Sequence, residues 1–207
     1  LTLIGSRPEW VAAMLGIWRI GAVALPCHAS LRPKDIALRA EAAQPKLIVC
    51  CPATRTAVDE AVLGCQILEL PSEHMSPGSL HEAYDHAPAP AADLQPRDPA
   101  LVIFTSGTAS EPVGIVHGVR WLAGQHLQAE HWFAAPAGSL AWCTSAPGWS
   151  KSARNVFLAP WLCDAAALIH DARFEPAERL RLLEHEDVAA LCQAPTEYRL
   201  IAAAGDI

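Results

Sequence analysis

Charge is scarce in this 207-residue sequence: Asp, Glu, Lys and Arg make up only 18%, against 52% hydrophobic residues. That ratio excludes a disordered, charge-rich chain and places the protein among packed globular folds. Its 22 acidic and 15 basic residues leave a net charge of −7, the wrong sign for binding nucleic-acid phosphates or an anionic membrane surface. No apolar stretch approaches the length of a membrane span, and no basic stretch leads an apolar signal core. The first residue is Leu rather than Met, and the sequence is read as starting inside a longer protein. The length suits one large domain or two small lobes.

Metal and disulfide patterns are missing too. Cys27, Cys50, Cys51, Cys65, Cys143, Cys163 and Cys192 are scattered, odd in number and without a C-x-x-C pair. Most lie in apolar runs such as "KLIVCC" and "ALCQA", where a free thiol behaves as a small hydrophobe. This favours a reducing, cytoplasmic setting. The nine histidines are equally scattered, and His126 and His131 are five apart, the wrong spacing for one helix face. No metal site is expected. Three familiar signatures are also absent. Gly107 to Gly114 is followed by Ile115 and Val116, not Lys and Ser/Thr, so it is no Walker A loop. No G-x-G-x-x-G opens a helix after a strand, and no G-x-S-x-G elbow is present.

What is present is a strand–helix rhythm. "PEWVAAMLGIWRIG" begins with Pro then Glu and carries Trp10, Met14, Ile17 and Trp18 on a helical stripe that reads as core. A strand "AVALP", a helix between Pro33 and Pro45, a strand "KLIVC", a helix "TRTAVDEAVLG" with a Thr start and Gly stop, and a strand "CQILEL" follow. Residues 71–99 are rich in Pro, Ala and His and read as a surface connection, with one short helix at "SLHEAYDH". The rhythm then resumes with "ALVIF", "GIVHG", a helix through "WLAGQHLQAEHWF", "LAWCTS", a helix around "RNVFLAPWLCD", "AALIH", "PAERLRLLEHE", "VAALCQA" and "TEYRLIAAAG". The expected fold class is α/β, with two lobes of mainly parallel sheet flanked by helices. Residues 1–70 form the first, partial lobe, 71–99 the connection, and 100–207 the second lobe. No internal repeat is evident.

Between "ALVIF" and "GIVHG" the chain reads "TSGTASEP". Thr105, Ser106, Gly107, Thr108 and Ser110 crowd small donors and acceptors into a loop that follows a buried strand. Such a loop can present backbone N–H groups and hydroxyls to an anion; an ordinary turn uses the same residue types.

The stretch "FTSGTASEPVGIVHG" resembles the signature loop of the AMP-forming adenylate ligases, generally T-S-G-T-T-G-x-P-K-G. Upstream, residues 7–49 are similar to the region preceding that loop in the family. Downstream, "SAPGW", the Pro160–Trp161 pair and "APTEYRLI" resemble the acetyl- and medium-chain acyl-CoA synthetase branch, which tends to read D-T-G-W, P-W and A-P-T-x-Y-R. The similarity is collinear over essentially the whole chain.

The resemblance implies the N-terminal portion of a carboxylic acid–CoA ligase. An acid attacks the α-phosphate of ATP, and CoA then attacks the acyl-adenylate. ATP, with magnesium held by a ligand outside this chain, and CoA are the implied co-substrates. Thr105, Ser106, Gly107, Thr108 and Ser110 would contact the departing β- and γ-phosphates. Gly148 and Trp149 would wall the acyl pocket, with Trp149 otherwise a core tryptophan. His117 is a further pocket candidate or a satisfied buried histidine. Arg199 reads as an anchor of its helix to the sheet. No catalytic residue is assigned, because the family's adenine segment, ribose Asp and catalytic Lys lie beyond Ile207. The chain alone is therefore expected to be inactive. Partners are the acid, ATP and CoA, with homo-oligomerisation or association with the remainder of the chain left open.

Three departures matter. Ala109 and Ser110 stand where the family has its second Thr-Gly pair. Val113 stands where the family has Lys, removing an ammonium aimed at phosphate; Arg120, Lys151 or Arg154 are the candidates to replace it. Ala146 and Pro147 stand where the branch has Asp-Thr. These departures keep a second reading open, a non-catalytic ligase remnant that binds a nucleotide or a partner.

Overall fold

The computed structural model describes residues 1–70, 87–105 and 111–204. The short helix expected at 79–86 lies outside the described residues. Two compact units emerge, one of Leu1–Trp121 with Pro147–Trp149 and the other of Leu122–Ala146 with Ser150–Ile207.

In the first unit, β1 (Thr2–Leu3), β2 (Leu47–Cys50) and β3 (Gln66–Glu69) form a parallel sheet in that order. The crossovers carry the helices α1 (Pro8–Arg19), α2 (Pro33–Ala43) and α3 (Pro52–Glu60). Each begins with Pro at its first turn, where the missing N–H would have had no helical partner. Helix α1 buries Trp10, Met14 and Trp18, spaced i, i+4, i+8 along one face. Ile17 is only half-buried. Full burial of one such side chain contributes about 1.5–3 kcal/mol. Thr54 does not cap α3 from outside, as its sequence position suggested. It sits in the first turn, where its hydroxyl accepts from the Cys51 N–H at 3.2 Å and donates to the Leu3 carbonyl at 2.7 Å. The helix is thereby tied to β1, and it ends at Glu60, short of the expected Gly stop at Gly64.

The stretch "AVALP" was expected as a strand, yet only Ala24 and Pro26 make single parallel bridges, to Leu101 and Thr2. Pro26 has no N–H to continue a ladder. These bridges still join the sheet to β4 (Pro99–Thr105): Ala24 N–H donates to the Ala100 carbonyl at 2.9 Å, and Val102 N–H to the Ala24 carbonyl at 2.8 Å. The Trp18 indole N–H also donates to the Ala100 carbonyl at 2.9 Å. These bonds place β4, and β5 (Val113–Gly118) paired with it, in the first unit, although residue 100 opened the second lobe in the sequence reading. The β4–β5 pair is antiparallel. Residues 106–112 are too few for the crossover of a dozen or more that a parallel pair needs.

The second unit centres on β6 (Leu140–Cys143), flanked in parallel by β7 (Ala166–Leu168) and β8 (Val188–Cys192). Helix α4 (Arg120–Gln128) runs on into a π-turn over Ala129–Phe133. The single helix expected around residues 154–164 is two short ones, α5 (Ser150–Asn155) and α6 (Leu158–Leu162). Pro160 falls in the first turn of α6, where its missing N–H breaks no helical bond. Helices α7 (Pro176–His185) and α8 (Pro195–Ala203) complete the unit. Trp142, Phe157, Ala153 and Ala159 lie at its core.

Candidate functional site

Strands β4 and β5 flank the hydroxyl-rich segment in the sequence. Thr105 is the last residue of β4, exposed, and pairs with Val113 across the ladder. Ser106, Gly107, Thr108 and Ser110 lie outside the described residues. One step earlier, Phe104 pairs with Gly114. A Cβ on Gly114 would stand 3.2 Å from the Phe104 ring and from Val102, so the glycine lets that ring lie across β5. The Arg39 guanidinium stacks over the same ring at 5.3 Å and donates to the Asp35 carbonyl at 2.8 Å. Sequence reasoning missed this cation, because nothing local links helix α2 to β4.

The suggested replacements for the missing Lys lie elsewhere along the chain. Arg120 begins α4, and its backbone N–H donates to the Pro96 carbonyl at 2.9 Å. Lys151 and Arg154 belong to α5 in the second unit, where their charge acts on the Cys192 thiol. His117 is half-buried on β5 opposite Leu101, with its ring 5.5 Å from Trp121.

Gly148 has a firm geometric role. Its φ is +98°, and a Cβ there would meet the His28 backbone nitrogen at 2.8 Å. The Pro147–Trp149 segment therefore lies backbone to backbone against Cys27–His28, which only glycine allows. Gly148→Ala is expected to cost about 2 kcal/mol through strain and displacement of that contact. A thermal melt matching the parent would refute this. Trp149 beside it is 64% exposed, which rules out its reading as a core tryptophan.

The second unit holds polar groups that the sequence did not single out. Glu197, in the first turn of α8, accepts from the Thr144 hydroxyl and faces the Arg179 guanidinium at 3.8 Å. Arg179 is buried, lying 4.3 Å over the Trp142 ring and 5.3 Å over Phe174. Burial lowers its pKa, and the neighbouring Glu197 and Glu178 carboxylates oppose that shift. Arg199, expected to anchor its helix to the sheet, is exposed and donates to the Pro195 carbonyl at 3.3 Å within its own helix. In the second unit it is Arg179 that lies against a strand residue, Trp142 of β6.

Among the described residues, no three His, Cys, Asp or Glu side chains gather to hold a metal ion. No described helix is long and apolar enough to cross a membrane.

Comparisons with known proteins agree over nearly the whole chain. A family model described as AMP-binding enzyme matches residues 1–207. An uncharacterized acyl–CoA ligase, YtcI, of Bacillus subtilis (strain 168) is 32% identical over 199 residues, covering 94% of this chain and 37% of the relative. The mitochondrial acyl-coenzyme A synthetase ACSM3 of Mus musculus is 29% identical, covering 97% of this chain and 36% of the relative. A crystal structure of a Brucella canis acyl-CoA synthetase superposes with a TM-score of 0.87 at 26% identity, over 99% of this chain and 38% of that one. The chain thus spans a little over a third of the length of these relatives. With an α/β fold, parallel sheets flanked by helices, and a hairpin carrying the T-S-G-T loop, the chain belongs to the AMP-binding enzyme family.

Proposed function

We propose that the protein carrying these residues is an ATP-dependent, AMP-forming carboxylic acid–CoA ligase. The observation that carries this reading is the collinear match of the whole chain to relatives named as acyl–CoA ligases and synthetases. An acid carboxylate attacks the α-phosphorus of ATP and pyrophosphate leaves. The CoA sulfur then attacks the acyl carbon, and AMP leaves. The first step moves charge onto pyrophosphate oxygens, so catalysis there rests on positioned donors. In this reading Thr105, Ser106, Gly107, Thr108 and Ser110 hold the β- and γ-phosphates. Gly148, Trp149 and His117 border the acid; Trp149 is exposed rather than packed in the core. Magnesium would accompany ATP, held by a ligand outside these 207 residues. Seven free cysteines support a reducing compartment such as the cytoplasm. Acid-dependent exchange of labelled pyrophosphate into ATP by the natural protein tests the proposal. Absence of exchange with every carboxylic acid in a short- to medium-chain panel would overturn it.

Val113 in the Lys position favours the second reading, a remnant without catalysis. Val113 is exposed and paired with Thr105, so a lysine fits there without repacking the core. Val113→Lys is expected to raise pyrophosphate exchange if the missing ammonium limits the site. An unchanged rate would mean that another cation, with Arg39 the nearby choice along β4, already fills the role.

A further inference from the structure

We propose that Cys143 and Cys192 form a peroxide-reactive dithiol that closes to an intramolecular disulfide. The two residues are register partners on the adjacent parallel strands β6 and β8, so their side chains leave the same face of the sheet. Neighbouring strands run about 4.8 Å apart, inside the Cα separation of roughly 4.4–6.8 Å that a disulfide spans. The two thiols are close enough to shift one another's titration in opposite directions. Asn155 Nδ2 also donates to the Cys192 sulfur at 3.4 Å. No other pair among the seven cysteines has this in-register placement among the described strands.

Electrostatics single out Cys192 as the attacking sulfur. The neighbouring Cys143 thiol lowers the Cys192 pKa against the opposing effect of burial, with further help from Asn155, Lys151 and Arg154. The same contact, together with burial, pushes Cys143 up. By contrast, burial pushes the Cys27 thiol up to about 12 and also raises Cys50. A thiolate, not a thiol, is the nucleophile toward peroxide. Cys192 is only 7% exposed, so only an oxidant as small as hydrogen peroxide is expected to reach it.

The chemistry balances in two steps. The Cys192 thiolate attacks one peroxide oxygen, the O–O bond breaks, and the released hydroxide takes up the thiol proton as water, leaving Cys192 as a sulfenic acid. The Cys143 sulfur then attacks the Cys192 sulfur. The S–O bond breaks, and the leaving hydroxide departs as a second water with the Cys143 proton. Two thiols lose two electrons, and one peroxide becomes two waters. A dithiol reductant reverses the bond by exchange.

The test is to expose the protein to hydrogen peroxide, block the remaining thiols with iodoacetamide and map peptides without reduction. The expected result is a peptide pair joined through Cys143 and Cys192 that dithiothreitol separates. Cys143→Ser should leave Cys192 as a sulfenic acid that dimedone traps, and Cys192→Ser should abolish the cross-link. The parental protein alone can overturn the proposal, whatever the variants do to folding. It fails if Cys192 stays fully alkylated after peroxide, or if it is over-oxidised to a sulfinic acid with no cross-linked peptide.

Discussion

Replacing Thr105 or Thr108 by Ala in the natural protein is expected to slow acid-dependent pyrophosphate exchange on the order of 10²-fold, or about 3 kcal/mol. Each hydroxyl is proposed to tighten on phosphate as charge moves to the leaving group, an interaction realised chiefly in the transition state. Acid affinity should barely change, because the acid is assigned to the Trp149 side. Fold stability should shift by no more than about 0.5 kcal/mol for Thr105→Ala, since an exposed strand-end hydroxyl fills no core space. Exchange kinetics, acid affinity and a melt on the same variants separate these effects. Exchange at the parental rate in both variants would make the loop an ordinary turn and remove the phosphate assignment.

Two tryptophans seven residues apart should respond in opposite ways. Trp142 is 1% exposed, with the Arg179 guanidinium above its ring and His170 at its edge, centroids 5.7 Å apart. Trp142→Ala leaves a cavity and removes the ring under a buried cation, so it should destabilise by about 3–5 kcal/mol. For a chain of this size that lowers Tm by roughly 6–20 °C. Trp149→Ala removes an exposed ring and should change stability by no more than about 0.5 kcal/mol. If Trp149 walls the acid pocket, its loss should weaken acid affinity about tenfold, equivalent to about 1.4 kcal/mol. A Trp149 variant that binds acid like the parent would remove it from the pocket. A Trp142 variant that melts like the parent would contradict the packing described here.

Local pattern decided a good deal. The 10, 14, 18 spacing marks the buried face of α1, and the prolines at 8, 33 and 176 mark helix starts; all of these depend on residues within a turn or two. The alternation of strands and helices, though not every element, and the collinear run from the T-S-G-T loop through "APGW" to "APTEYR" were legible for the same reason and were enough to indicate the family. Only the tertiary structure decided which strands are neighbours. The bridge of Ala24 to Leu101, the antiparallel turn of β5 onto β4, the contact of Gly148 with His28, Arg39 over Phe104, and the register of Cys143 with Cys192 each join residues that no local periodicity relates. Short apolar strands carry the same hydrophobic signal whichever partner they take. Partner and register follow from chain connectivity and from packing across the sheet faces, which exist only once the chain has folded.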